Sequence, residues 1–420
     1  MSSRVLEKYK MEIDRNYRRN AIGIMIDNSM FYIIALGLSQ YTILPLYLSK
    51  LTNSKILIGL IPTIFVIGFS LPQIFTARFL KGKSKKKKYL VGVAVAQRVS
   101  ILTFLILTLV QRHLSANLTI FLFFLIFSIQ NIITGCWYPM WVDFIGRAIP
   151  RNRGKIFGFS CLLGGLLGFA SGSLITYFLD SLPYPYAISA AAAIAFMASM
   201  ISLIAIISWR EVVPPEPEKN EEQTKIDSHF LSTIKNNKNF QRYLLWRGTI
   251  IGIEMALPYL TISALDRLYV ADSQIGIFAI ILGLSQSIMN MIWGWLGDNI
   301  GYLKILIFST ILGCLGCVML ADGLSIGIFY FAFLCLGAML GGQQQANINI
   351  IYEFNKSGDN VPTYAAIQQT ILSPISSLMP VIGGIILNRY GYSILFWTAS
   401  IIGIGGVVGV YSKVNNPKHE

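Results

Sequence analysis

Tyr184-Pro-Tyr-Ala-Ile-Ser-Ala-Ala-Ala-Ala-Ile-Ala-Phe-Met-Ala-Ser-Met-Ile-Ser-Leu-Ile-Ala-Ile-Ile-Ser208 carries no charged side chain from end to end. As an α-helix it rises roughly 37 Å at 1.5 Å per residue, more than the roughly 30 Å of a bilayer's hydrocarbon core. Outward from it, runs of the same kind recur at 22–46, 56–79, 89–110, 117–142 and 157–179, then at 243–265, 273–296, 302–321, 325–350, 363–387 and 391–411. The pattern predicts twelve transmembrane helices in two sets of six. A soluble helix of this length would show a polar face, and these runs do not.

Composition agrees. The 420 residues are 54% hydrophobic and 13% charged, too little polar surface to cover a soluble globule of that size. The five cysteines, Cys136, Cys161, Cys314, Cys317 and Cys335, all fall inside apolar runs, so no disulfide framework is implied. Cys314 and Cys317 make a C-x-x-C spacing, but no histidine or further cysteine cluster accompanies it, and no metal or cofactor is expected. Met1 to Asn20 is polar and charged for too long to be a secretory signal, so the first span is expected to be retained.

Orientation follows from charge. With both termini cytoplasmic, the outer loops hold only Lys50, Lys55, Arg112, Arg267 and Arg389 of the 34 Lys and Arg, with Arg98 inside a helix. The long polar interruption at Arg210–Gln241, Pro-rich and mixed in charge, reads as a linker. The expected organisation is therefore a bundle at 1–209, a central cytoplasmic linker at 210–241 and a second bundle at 242–420. The halves are weakly similar: Ile58-Gly59-Leu60 matches Ile275-Gly276-Ile277 in place.

Ionisable side chains within the hydrocarbon are costly and mark function or pairing. Asp27 lies about five residues into the first span, roughly 8 Å deep; Glu254 lies about eleven residues into the seventh, roughly 16 Å deep; Arg98 lies nine into the third, roughly 13 Å deep. A carboxylate in a partly dry cavity can load and release a proton near neutral pH, the minimum machinery of proton coupling. Two readings stand for Asp27 and Glu254: a coupling or substrate-binding role, or a buried ion pair with Arg98. Arg247 and Asp266 are read as lying near span ends and snorkelling to the interface.

Gly294-Trp-Leu-Gly297-Asp298-Asn-Ile-Gly301-Tyr-Leu-Lys304 resembles the signature of the major facilitator superfamily between helices 8 and 9. The resemblance implies an inner-gate role for Asp298, with Lys304 as its basic member. The matching place in the first half, Ala77-Arg78-Phe79-Leu80-Lys81-Gly82, has lysine where the family has an acid, and Lys85–Lys88 are expected to meet anionic lipid headgroups. Asp143-Phe-Ile-Gly-Arg147 is similar to the family's charged segment after helix 4; Asp143 and Arg147, four apart, can pair there as part of a gate or as an ordinary interfacial pair.

The family lines its cavity with helices 1, 4, 7 and 10. Helix 4 carries Gln130, Thr134, Trp137 and Trp141 on one face, and helix 10 carries Gln343, Gln344 and Asn347, read as one stripe. These amides and indoles are the expected substrate contacts, with helix–helix glue as the other reading. Gly164, Gly168 and Gly172 repeat at four-residue intervals and predict close backbone approach. The resemblance implies a secondary transporter working by alternating access; with the buried acids Glu254 and Asp27 it leads to the expectation of a monomer in the cytoplasmic membrane that exports a small organic solute, coupled to protons. Proton-coupled nutrient uptake is the alternative. A non-transporting scaffold or sensor would need a soluble module that no segment is long enough to supply. No enzyme motif and no nucleic-acid partner are expected.

Overall fold

The computed structural model describes residues 3–80, 83, 85–149, 151–213, 237–354 and 361–416. Among them there is no strand. In order the helices are α1 (Ser3–Gly37), α2 (Ile43–Ser49), α3 (Lys55–Leu80), α4 (Lys87–Val110), α5 (Ala116–Ala148), α6 (Arg153–Ser181) and α7 (Tyr186–Ser208). After the linker come α8 (Lys238–Ile251), a 3₁₀ turn (Gly252–Tyr259), α9 (Leu260–Leu268), α10 (Asp272–Ile300), α11 (Tyr302–Asp322), α12 (Ile326–Phe354) and α13 (Val361–Lys413).

Among the described residues eleven helical stretches are long and apolar enough to cross a membrane. The last of them, Tyr364–Lys413, breaks at Gly391, whose φ of 84° and ψ of 177° are not helical, so it divides into two and the count becomes twelve. Phe75, Phe121, Leu162, Ile204 and Ile401 stand exposed on the helices, an apolar surface that needs lipid against it. The chain is an all-α multi-pass membrane protein.

Two spans are discontinuous. Between α1 and α2 the helix opens at residues 38–42; Pro45 has no N–H to offer the Tyr41 carbonyl, which accepts the Thr261 hydroxyl at 2.9 Å instead. The seventh span opens into the 3₁₀ turn, where Pro258 leaves the Glu254 carbonyl without its α-helical donor. Glu254 therefore sits in the irregular part of its span.

The chain forms two compact units. The first comprises Met1–Ser39 with Ile67–Lys219, and the second Gln40–Val66 with Asn220–Glu420. In the first, Phe144 stacks on Trp209 at 4.8 Å amid Ile24, Leu90, Ala94 and Ile149. Gly135 of α5 rides on α3: a Cβ there would lie 2.5 Å from the Phe69 carbonyl oxygen and 2.7 Å from that of Gly68. Of the glycines expected to crowd on α6, Gly164 packs under the Tyr32 ring and Gly168 faces Tyr32 Cβ at 3.9 Å, whereas their neighbour Gly165 meets nothing within 4 Å.

In the second unit the segment 40–66 is tied in by Lys50 Nζ to Asp272 (2.8 Å), Lys55 Nζ to Asp266 (2.5 Å) and the Thr63 hydroxyl to the Ser377 carbonyl (2.5 Å). Its core gathers Phe240, Tyr243, Trp293, Leu306 and Ile350, with Phe278 stacked on Phe333 at 4.5 Å.

Gly135→Leu is expected to lower the thermal midpoint of the detergent-purified protein by the equivalent of about 1–3 kcal/mol through overpacking, while Gly165→Leu leaves it unchanged. Equal midpoints for the two variants would refute the α3–α5 contact.

Candidate functional site

In the first unit, four helices converge on Asp27 of α1, 5% exposed. Its Oδ1 accepts the Ser202 hydroxyl (2.5 Å) from α7, and its Oδ2 accepts Trp141 Nε1 (3.0 Å) from α5. Ser202 in turn accepts Arg98 Nη2 (2.5 Å) from α4. The remaining nitrogens of Arg98 are also used: Nε donates to the Ser199 carbonyl (3.0 Å), and Nη1 to Gln97 Oε1 (2.7 Å) and the Ala94 carbonyl (3.2 Å). Gln97 continues the chain by donating to Thr134 Oγ1 at 2.9 Å. Asp27 and Arg98 thus belong to one network joined through a serine, not to a direct ion pair. Such a relay neutralises both charges while leaving each carboxylate oxygen on a neutral donor.

Of the helix 4 residues read as substrate contacts, Trp141 holds Asp27, and Trp137 lies beside it with ring centroids 5.5 Å apart. Trp137 Nε1 is buried without a hydrogen-bond partner. Gln130 is half-buried on the same helix.

In the second unit Glu254 is half-buried and accepts the Ser376 hydroxyl at 2.5 Å from α13. Arg247 corrects an expectation: it is 1% exposed and does not snorkel. The helix begins at Lys238, earlier than the apolar run suggests, so Arg247 lies nine residues inside it, roughly 14 Å from its start. Its Nη2 donates to Asn347 Oδ1 (3.1 Å) and, more weakly, to Gln343 Oε1 (3.4 Å), both on α12. Tyr243 donates to Gln368 Oε1 (3.1 Å), and Gln368 Nε2 to the Asn347 carbonyl (3.2 Å). Asp266, the other residue read as interfacial, binds Lys55 and the Tyr392 hydroxyl (2.5 Å each). The helix 10 stripe is split: Gln343 and Asn347, four apart, face Arg247, whereas exposed Gln344 accepts Asn290 Nδ2 (3.1 Å) of α10.

At the turn between α10 and α11, Gly301 adopts a φ of 93°, and a side chain at Gly297 would collide with the Tyr302 ring. Asp298 Oδ1 accepts the Tyr302 hydroxyl at 2.7 Å, and Lys304 is exposed. The first backbone N–H of α11, that of Tyr302, is taken by Glu353 Oε1 at 2.9 Å. An acid does cap this neighbouring helix, but it comes from α12. The first unit repeats the device with Glu211, whose Oε1 accepts the backbone N–H of Lys86 (2.5 Å) and Lys87 (3.2 Å) at the start of α4.

Asp143 accepts Arg147 Nη2 (2.9 Å) and Lys86 Nζ (3.0 Å). Lys87 Nζ donates to the carbonyls of Ile207 (2.8 Å) and Trp209 (2.6 Å). Of the four lysines expected to face headgroups, Lys86 and Lys87 turn inward, and Lys85 and Lys88 remain exposed. Lys81 and Gly82 lie outside the described residues.

Ser202→Ala is expected to remove one hydrogen bond each from Asp27 and Arg98, lowering the thermal midpoint by the equivalent of about 1–3 kcal/mol, while Thr103→Ala on the exposed side of α4 has no effect. An unaltered midpoint for Ser202→Ala would show that the serine bridge is absent.

The sequence matches the family model described as Major Facilitator Superfamily over residues 25–265 and 248–420. No curated protein matches it in sequence. The fold is similar to that of a mutant of the nucleoside transporter NupG, with a TM-score of 0.70 at 10% identity over 94% of this chain and 99% of that one. It is similar to a D-xylose–proton symporter at a TM-score of 0.68 and 13% identity, covering 96% and 98% of the two chains. A bacterial homologue of the human lysosomal transporter Spinster aligns at 0.62 and 12% identity, covering 96% of each. Twelve spans, the turn at Gly297–Gly301 and a family match running nearly the length of the sequence lead to one assignment: the chain belongs to the major facilitator superfamily and is a multi-pass secondary transporter, not an enzyme.

Proposed function

We propose that the protein exports a small organic solute across the cytoplasmic membrane by alternating access, driven by protons that Glu254 and Asp27 carry. The observation that carries the reading is the placement of Glu254, a membrane-embedded acid on the 3₁₀ interruption of its span, held by the Ser376 hydroxyl. Discontinuous helices are where transporters of this kind bind ions and substrate, because unwound backbone can reorganise there at little cost. Asp27 is held more completely, by two donors and the Arg98 relay, so it is suited to positioning and to a second, slower proton.

Gln343, Asn347, Trp137 and Trp141 supply amide and indole surface for the solute, and Gln130 and Gln344 flank them. In this reading Asp143 with Arg147, and Asp298 with Lys304, belong to the inner gate, both termini are cytoplasmic, and Lys85 and Lys88 meet anionic headgroups. Proton-coupled uptake uses the same parts with the solute moving inward, and one structural neighbour is described as a proton symporter.

Purified protein reconstituted into vesicles with an imposed pH gradient separates the two directions: solute moving against the proton flow marks export, and solute moving with it marks uptake. Glu254→Gln is expected to reduce gradient-driven flux by at least about tenfold while passive solute exchange continues, since the neutral amide keeps the size and loses the proton. Gradient-driven flux that persists at the parental rate in Glu254→Gln would remove the residue from the coupling path.

A further inference from the structure

The two arginines buried among the described residues, Arg98 and Arg247, differ in one respect. Arg98 uses Nε, Nη1 and Nη2, each on an oxygen of the protein. Arg247, 1% exposed, makes its hydrogen bonds of good geometry through Nη2 alone; the Tyr243 hydroxyl lies beside the guanidinium, and Nε and Nη1 are buried with no hydrogen-bond partner. Beside it, Gln343 is 4% exposed and its Nε2 is also a buried donor without a partner. Among the described residues no carboxylate lies within ion-pair distance of Arg247; Glu254 is near enough to feel its charge without bonding to it, and the oxygens that accept from Nη2 are neutral amides.

A guanidinium remains charged under all physiological conditions, and burying it with no counter-charge bonded to it is strongly unfavourable. Such a group persists where something from outside supplies the charge. We propose that Arg247, with Gln343 Nε2, receives an oxyanion, the carboxylate or phosphate of the transported solute; this inference rests on the transport reading above. The planar fork offers donors of fixed direction that match oxygens of either group, and the amide adds a third donor that a neutral apolar ligand would leave unused. Asn347, bonded to Nη2 and itself exposed, marks the open side of the cluster. Tyr243 and Gln368 brace the other side through Asn347, which keeps the donors oriented.

The test is thermal unfolding of the purified full-length protein titrated with sodium benzoate, phenyl phosphate or inorganic phosphate, against benzamide and against sodium chloride at equal ionic strength. A saturable rise in midpoint with benzoate or a phosphate, absent with benzamide and chloride, is expected, because a ligand bound only by the folded form stabilises it. The benzoate and phosphate arms decide between carboxylate and phosphate. Gln343→Ala is expected to weaken half-saturation by about tenfold, and Arg247→Gln to abolish the response. Should Arg247→Gln fail to fold, Gln343→Ala alone decides. No anion-specific rise in any arm, or a rise unchanged in Gln343→Ala, overturns the proposal. Glu254→Gln is expected to keep the anion response, so loss of proton-driven flux and loss of anion recognition are read separately.

Discussion

Hydrocarbon cannot hydrogen-bond, so every amide, carbonyl and charged side chain that enters it must find its partner inside the protein. That requirement explains why this chain is helical wherever it is described, and why its exceptions are informative. Where Pro45 opens the first span, the stranded Tyr41 carbonyl is met by Thr261. Where Pro258 opens the seventh, the irregular segment carries Glu254, and Ser376 reaches across to it. Breaks of this kind are tolerated because a neighbouring helix completes them, and they are the places where the backbone has somewhere else to go.

The same requirement separates the two polar clusters. The Asp27 network is closed: acid, serine, arginine, glutamine and threonine pass hydrogen bonds from α1 to α7 to α4 to α5, and each charge is offset within the unit. A closed network rigidifies the helices it joins. The Arg247 cluster is open, with three buried donors lacking acceptors and an exposed asparagine at its edge. In the proposed function the first cluster positions and the second recognises, with Glu254, on the irregular segment of its span, as the acid that carries the proton.

Fold was legible in the sequence because apolar length and charge asymmetry are one-dimensional properties. Twelve spans, the break near Gly391 and the sharp turn at Gly297–Gly301 could all be read from composition and spacing. The site was legible only in part. Asp27, Arg98, Glu254, Asp143 and Arg147 announce themselves as charges at unusual depth or at paired spacing. Ser202 and Ser376 do not, since a serine in a membrane helix is commonplace and its partner is fixed by tertiary packing. Arg247 was misplaced because an apolar run starts where hydrophobicity starts, whereas the helix begins five residues earlier at Lys238 and carries the arginine inward. The ion pairs of segment 40–66 with Asp266 and Asp272 were hidden for a related reason, since they depend on contacts no linear pattern encodes.

Proton coupling of this kind needs an acid within the membrane that exchanges a proton with water. Infrared difference spectroscopy of the reconstituted protein, stepped between two bulk pH values, reads carboxyl stretches directly. A carboxyl band that responds to pH in the parent and is missing from Glu254→Gln is the predicted result. Identical difference spectra for the two proteins would contradict it.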